Sequence, residues 1–262
     1  MSWVMNLSVR DVVQKLRYRV LPNLHHLPRS RVRICSACQK RTFFLAIGRD
    51  PEFHVCLRCH ANLRYELLAI HLRERFDIPR LDVLELDFAS PLRPLLARAN
   101  TYTPSFYRPD FPLGETRQDG IVCQDVTRLT FPDASLDLIV SSDVLEHVPD
   151  LLAAFRETAR VLRRGGSHVF TVPTGIKTRQ RATVVKGEII HLAPPDYHRD
   201  PLDPIGILAF WDVGEDLPQL FSVEGLEMSI VRRKADRVVW EARKVTEGAT
   251  MCNRATMRTN GK

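Results

Sequence analysis

The chain has 262 residues, 44% hydrophobic and 26% charged. That composition excludes collagen, coiled coil and wholesale disorder, and the length leaves room for one full domain plus a small accessory one. No apolar run nears the roughly 18 residues of a membrane span, and Met1 to Arg10 lacks the apolar core of a secretory signal, so a cytoplasmic protein is expected. The net charge of +7 is uneven: residues 1–80 carry 15 basic and 6 acidic side chains, residues 81–175 carry 9 and 13, and residues 176–262 carry 14 and 12. A basic front suits RNA, an anionic lipid face or a phosphorylated substrate, and equally a solvated arginine-rich surface.

In chain order, Ser8 is placed to cap a helix with Val9, Val12, Val13, Leu16 and Val20 on one face, stopped by Pro22. Residues 22–34 read as a basic linker. Cys35-x-x-Cys38 and Cys56-x-x-Cys59 follow, with residues 39–55 between the pairs. In a chain read as cytosolic, two such pairs point to a structural zinc site with four thiolate ligands. Redox pairs or free buried cysteines are the alternatives. Arg33, Lys40, Arg41 and Arg58 are near enough in sequence to offset the thiolate charge, and His54 and His60 could each replace a cysteine. Cys123 and Cys252 read as ordinary thiols. Ala61 to Phe76 is amphipathic, with Leu63, Leu67 and Ile70 on one face, and Pro79 closes it.

From Leu81 the pattern becomes strands alternating with helices. Strands are expected at Leu81–Leu86, Thr101–Tyr107, Gly120–Cys123, Leu136–Ser141, His168–Val172, Leu226–Arg232 and Arg237–Arg243. Helices are expected at Pro91–Ala99 and Asp150–Leu162, the second ended by Gly165-Gly166. This rhythm argues for a mostly parallel sheet with helices on both faces. The expected division is 1–34 helix and linker, 35–78 zinc-ribbon-like module with its helix, 79–245 main domain, and 246–262 a loose tail.

The run Asp125-Val-Thr-Arg-Leu-Thr-Phe-Pro-Asp-Ala-Ser-Leu-Asp-Leu-Ile-Val-Ser-Ser-Asp-Val-Leu-Glu-His-Val-Pro149, continuing through Ala159-Arg-Val-Leu-Arg-Arg-Gly-Gly166 to Thr171-Val-Pro173, resembles the class I S-adenosylmethionine-dependent methyltransferases, closest to their type 11 branch. The resemblance extends over about Leu81 to Arg243. It implies an α/β, Rossmann-like class I methyltransferase fold with a mostly parallel seven-stranded sheet. The cysteine module together with Pro194–Leu202 further resembles a bacterial subgroup of methyltransferases of mostly unassigned substrate, some encoded beside or fused to glycosyltransferases.

In doubly wound sheets the ligand lies beyond the carboxyl ends of the strands. The resemblance assigns Glu85 and the Leu86–Asp87 backbone to the methionine end of S-adenosylmethionine, Asp125 and Val126 to its adenine, and Ser142 and Asp143 to the floor near the sulfonium. It gives His147 a packing and positioning role, and Asp133 and Asp137 a turn-forming one. Two features of the pattern are missing. Asp87-Phe-Ala-Ser-Pro91 replaces the glycine-rich loop, and Phe106 stands where a ribose-binding acid is usual, with Asp110 the nearest carboxylate. Ser90-Pro91 nevertheless suits the start of a helix.

Residues 174–212 show no clear period and hold His191, Asp196, Tyr197, His198, Asp200 and Asp203 among four prolines, which favours an ordered lid. His198 is the expected base or substrate clamp, with Asp200 to orient it and His191 second. Methyl transfer to a small-molecule or glycan acceptor is the favoured function. An RNA methyltransferase with a phosphate-gripping module, and a degenerate methyltransferase fold serving as an interaction protein, are the alternatives.

Overall fold

The computed structural model describes residues 21–198 and 206–245. The helix expected after Ser8 and the tail after residue 245 lie outside them. The stretch read as a basic linker contains a 3-10 helix over Leu21–Arg29 and strand β1 (Arg31–Ile34). β1 pairs antiparallel with β2 (Arg41–Ala46), which pairs with β3 (His54–Cys56). Helix α1 (Leu63–Arg75) follows directly, its N-terminus capped by the side chain of Asn62.

The main sheet begins with β4 (Asp82–Glu85). Helix α2 is only Arg93–Leu96, shorter than the expected Pro91–Ala99. Pro91 and Pro94 remove two backbone donors, so the segment closes as short turns, although Ser90 Oγ accepts from Leu92 N at 3.0 Å. β5 (Thr101–Phe106), β6 (Val122–Cys123) and β7 (Leu136–Ser142) come next. Helix α3 (Leu151–Val161) is capped by Asp150, whose carboxylate accepts from Ala153 N at 2.9 Å.

β8 (Leu162–Thr171) starts where α3 stops, so Gly165-Gly166 lies inside a strand rather than ending the helix. The register against β7 shifts there, and a Cβ on Gly166 would sit 2.9 Å from the carbonyl oxygens of both Arg163 and Asp137. β9 (Thr174–Gly175), β10 (Arg179–Gln180), β11 (Ala182–Val185), β12 (Glu188–His191), β13 (Tyr197–His198), β14 (Ile207–Leu208) and β15 (Trp211–Gly214) fill the segment that shows no period in sequence. These strands are two to four residues long, too short to carry one. They form small sheets, β11 with β12, β13 with β14, and β10–β15–β9. α4 (Leu217–Leu220) and the hairpin of β16 (Leu226–Lys234) and β17 (Arg237–Lys244) complete the chain.

The seven-stranded order is β16-β17-β8-β7-β4-β5-β6. β17 alone runs against the rest, because it pairs antiparallel with both neighbours. Alternate residues face opposite sides. Val83, Leu138, Val140, Val169 and Val239 meet α1, while Phe170, Trp240 and Ala242 meet Phe155 and Leu151 of α3. The first cluster also contains Cys35, Phe44 and Cys56, so the cysteine module shares its core with the sheet. No helix among the described residues is long and apolar enough to cross a membrane.

A buried polar contact fixes α1 on the sheet. His71 Nε2 lies 3.0 Å from Glu241 Oε2, and Ser167 Oγ donates to Glu241 Oε1 at 2.7 Å. Burial pushes the Glu241 pKa up, but the bonds from His71 and Ser167 win and hold it below 4.5. Glu241→Ala should lower stability by about 2–3 kcal/mol at neutral pH, since it strands two buried partners. The bonded form is the ionised one, so the deficit should shrink as pH falls below 4.5, measured by urea unfolding at pH 7 and pH 4.

Candidate functional site

Each cysteine pair forms the same turn. Gln39 N donates to Cys35 O at 2.8 Å and Cys35 N to Lys40 O at 3.0 Å; His60 N donates to Cys56 O at 2.8 Å and Cys56 N to Ala61 O at 2.9 Å. Gln39 and His60 hold matching left-handed conformations, φ 58° and 64°. His60 is therefore a turn residue. The ligand atoms of Cys35, Cys38, Cys56 and Cys59 lie within 4.8 Å of one another, with Cys35 and Cys59 Sγ 3.7 Å apart. Four sulfurs about 2.3 Å from a zinc ion sit about 3.8 Å from each other, so the set fits zinc. A hydrogen bond from Cys59, with help from the Cys38 and Ala37 backbone, pulls the Cys35 pKa down to about 5, and Cys59 as donor is pushed up. Arg33 does not face the sulfurs: it pairs with buried Glu66 at 2.7 and 2.5 Å. Arg73 of α1 instead bonds the carbonyls of Ser36 and Ala37.

At the carboxyl edge of the main sheet, β4 ends on Glu85, 1% exposed. Tyr102 donates to its Oε2, Ser105 Oγ to its backbone carbonyl at 2.8 Å, and Oε1 has no hydrogen-bond partner. Burial raises its pKa to about 8. Leu86 N donates to Val140 O at 2.9 Å, holding the turn onto β7. Asp87 accepts from Tyr65 Oη at 2.6 Å and from Ala89 N at 3.0 Å. Beyond β6, Asp125 Oδ1 accepts from Thr127 N and Oγ1 at 2.8 and 2.7 Å, and Val126 is buried against α3. Asp125 borders a cavity of about 230 Å³ walled by Tyr107, Pro109, Phe111 and Leu113. Phe106 is buried at the end of β5, and Asp110 is occupied by Arg108. No carboxylate of β5 therefore faces the crevice.

Next to β4, on the side away from β5 and β6, lies the end of β7. Asp143 takes a left-handed conformation, φ 51°, in which its N–H donates to Thr171 O at 2.9 Å. Its carboxylate accepts from Arg64 and, at 3.1 Å, from Thr171 Oγ1, which also donates to Ser142 Oγ at 3.1 Å. Asp133 and Asp137 are structural: Asp133 pairs with Arg160 at 2.7 Å, and Asp137 with Arg163 at 2.7 Å.

Glu146, His147 and His198 form a second cluster just past β7. Glu146 is 1% exposed, and neither carboxylate oxygen has a hydrogen-bond partner. His198 Nδ1 lies 3.6 Å from its Oε1 and His147 Nε2 3.8 Å. His147 Nδ1 is 2.9 Å from Leu208 O, so His147 ties the end of β7 to the β13–β14 hairpin, a positioning role. Glu146 holds the His198 pKa above its ordinary value, against burial, with Asp196 also favouring the charged ring. His198 Nε2 lies 3.8 Å from Asp196; Asp200 lies outside the described residues. Gly206 sits at φ 92°, where a Cβ would collide with His198 O, so the hairpin needs glycine there. His191 stands on exposed β12 opposite Ala182, outside this group.

Arg64, Tyr65, Tyr102 and Glu146 are missed by the sequence reading. Only Glu146 carries a signal there, adjacent to His147 just past a buried strand.

Residues 83–170 match the family model described as a methyltransferase domain. No curated protein matches the chain by sequence. Solved structures similar to it include the YcgJ protein from Bacillus subtilis, 12% identical over 70% of this chain and 99% of that one, TM-score 0.44. An S-adenosylmethionine-dependent methyltransferase from Mesorhizobium loti is 16% identical over 67% and 96%, TM-score 0.43. A similar enzyme from Methanosarcina mazei is 14% identical over 67% and 97%, TM-score 0.43. With the domain match in place and six of seven strands parallel, residues 83–170 carry a methyltransferase domain within a class I methyltransferase fold. A four-cysteine module precedes that domain.

The Glu85 environment gives a direct check. In protein labelled at glutamate carboxyl carbons, one resonance should titrate near pH 8. The Tyr102 bond favours the ionised carboxylate, so Tyr102→Phe should move that titration upward.

Proposed function

We propose that the chain transfers the S-adenosylmethionine methyl group to a hydroxyl or amine of a small-molecule or glycan acceptor, and that its four clustered cysteines hold one structural zinc ion. The observation that carries this reading is the pairing, across the end of β7, of a carboxylate edge with a histidine group. Glu85, with an oxygen that lacks a partner, and Asp125, at a cavity lined by Tyr107 and Phe111, make up the first; Glu146, His147 and His198 make up the second. When bound, S-adenosylmethionine supplies a methyl carbon made electrophilic by its sulfonium.

The chain's own work is then positioning and proton handling. Glu85, with the Leu86–Asp87 backbone, receives the cationic methionine end, where a positive neighbour favours its ionised form. Asp125 and Val126 edge the adenine, which the rings of Tyr107 and Phe111 enclose. Ser142 and Asp143 form the floor. His198 clamps the acceptor group or takes its proton, with His191 as the second candidate.

Against an RNA substrate, several module arginines are turned inward. Arg33 is spent on Glu66, Arg64 on Asp143 and Glu52, and Arg73 on knuckle carbonyls. Binding to RNA would weaken steeply with salt.

Three measurements test the reading. Glu85→Gln and Asp125→Ala should each weaken S-adenosylmethionine binding about tenfold or more by calorimetry, the usual cost of losing a charge-assisted bond. Unchanged binding in both would move the cofactor elsewhere. Protein purified without a metal-binding tag should contain one zinc per chain by elemental analysis. A Cys35→Ser, Cys56→Ser double variant should lose it and melt at lower temperature, because four protein ligands make a folding site with no open position. With an identified acceptor, His198→Gln should lower kcat about a hundredfold, within the usual range for a positioned acid–base group, and His191→Gln should have the smaller effect. Equal, unchanged rates would remove both histidines from the chemistry.

A further inference from the structure

Glu146 presents a problem that the methyl-transfer reading leaves unsolved. Its carboxylate is buried, and both oxygens lack hydrogen-bond partners, a costly arrangement unless a cation sits there. Arg64, the nearest arginine named at this edge, is committed to Asp143 and Glu52. Among the described residues, two imidazoles stand 3.6 and 3.8 Å from the Glu146 carboxylate, beyond good hydrogen-bond reach.

The imidazoles are arranged as ligands. His147 Nδ1 faces the carbonyl of Leu208 at 2.9 Å, and a carbonyl only accepts, so Nδ1 carries the proton and donates it. Nε2 is left with its lone pair on the side of Glu146. This is how a second partner fixes the tautomer of a metal-binding histidine. His198 is held nearly perpendicular to His147, rings 84° apart with centroids 4.8 Å apart, with Nδ1 turned to the same carboxylate.

The ligand atoms of the three residues lie within 4.8 Å of one another. Two ligands about 2.1 Å from one ion stand about 3.0–4.2 Å apart, so the 3.6 and 3.8 Å separations already fit. Only a small movement of the histidines remains.

We propose that Glu146, His147 and His198 bind a divalent first-row transition ion, a second metal site separate from the four cysteines. Two histidines and one carboxylate on one face suit manganese, iron or zinc, where an all-oxygen set would suit magnesium or calcium. Three protein ligands leave open positions, unlike the closed cysteine site. Glu146 and His147 follow Ser142 and Asp143 closely in the chain, and an acceptor oxygen bound to such an ion would deprotonate more easily. The acceptor class that fits is a hydroxyl with a neighbouring oxygen, able to take two positions of the ion. This rests on the methyltransferase reading and makes His198 a clamp acting through the ion.

The test uses full-length, tag-free protein with its cysteine site left loaded, dialysed against a weak chelator and titrated with manganese(II) while the electron paramagnetic resonance signal of the free ion is followed. Manganese is chosen because thiolates hold it weakly. One manganese per chain should bind, with affinity reduced tenfold or more in Glu146→Gln and in His198→Asn. His198→Asn lies on a partly exposed strand and carries the test if Glu146→Gln does not fold. No binding at 1 mM manganese, or equal binding in wild type and His198→Asn, overturns the site. Calorimetry with S-adenosylmethionine on the same protein before manganese is added reads the methyltransferase assignment separately: cofactor binding without manganese binding would sink this site alone.

Discussion

The architecture depends on the packing of one helix. α1 buries Leu67, Leu68, Ala69 and Leu72 against Val83, Leu138, Val140 and Val239, and so covers one face of the sheet. The same thirteen residues carry the contacts that join the two halves of the molecule. Glu66 and Arg73 hold the first cysteine turn, Arg64 and Tyr65 reach the ends of β7 and β4, and His71 locks onto β17. Without the apolar stripe none of these polar groups would be brought within bonding distance. Without the polar groups, an amphipathic helix would be free to slide along a uniformly aliphatic surface.

Charge at the carboxyl edge is managed unevenly. Asp87 and Asp143 are met by Tyr65 and Arg64, and Asp125 by its own turn. Glu85 and Glu146 are the exceptions, each nearly inaccessible and each with an oxygen that no donor reaches. Glu85 ends β4 where a cationic cofactor end is proposed, and Glu146 follows β7 where the histidines converge. Buried acids that a protein leaves unmatched are natural places for a ligand to complete the structure.

The sheet was legible because buried parallel strands such as Leu136–Ser142 are continuous apolar runs, separated by capped helices. The cysteine turns were legible from spacing, though not the inward arginines that support them. The histidine cluster was not. Its strands are exposed and as short as two residues, so they leave no period, and His198 meets Glu146 across 52 positions of chain. Likewise nothing local signals that Arg64 will bond Asp143. Such contacts are products of topology, and a pattern read along the chain has no access to them. Gly165-Gly166 misled for a local reason: paired glycines commonly end helices, whereas here Gly166 relieves the crowding of a bulged strand.

In the proposed cofactor site, Phe106 would set how selective the nucleoside end can be. A carboxylate gripping both ribose hydroxyls would be left unpaired by an analogue lacking one of them, and that penalty is how enzymes reject deoxy substrates. An aromatic side chain buried at the end of β5 has no bond to lose. Discrimination at the sugar would then be modest, and recognition would fall on the adenine wall and the charged amino-acid end. Sulfonium donors altered on the ribose, which a carboxylate-gated pocket would refuse, would then become admissible methyl sources for this chain.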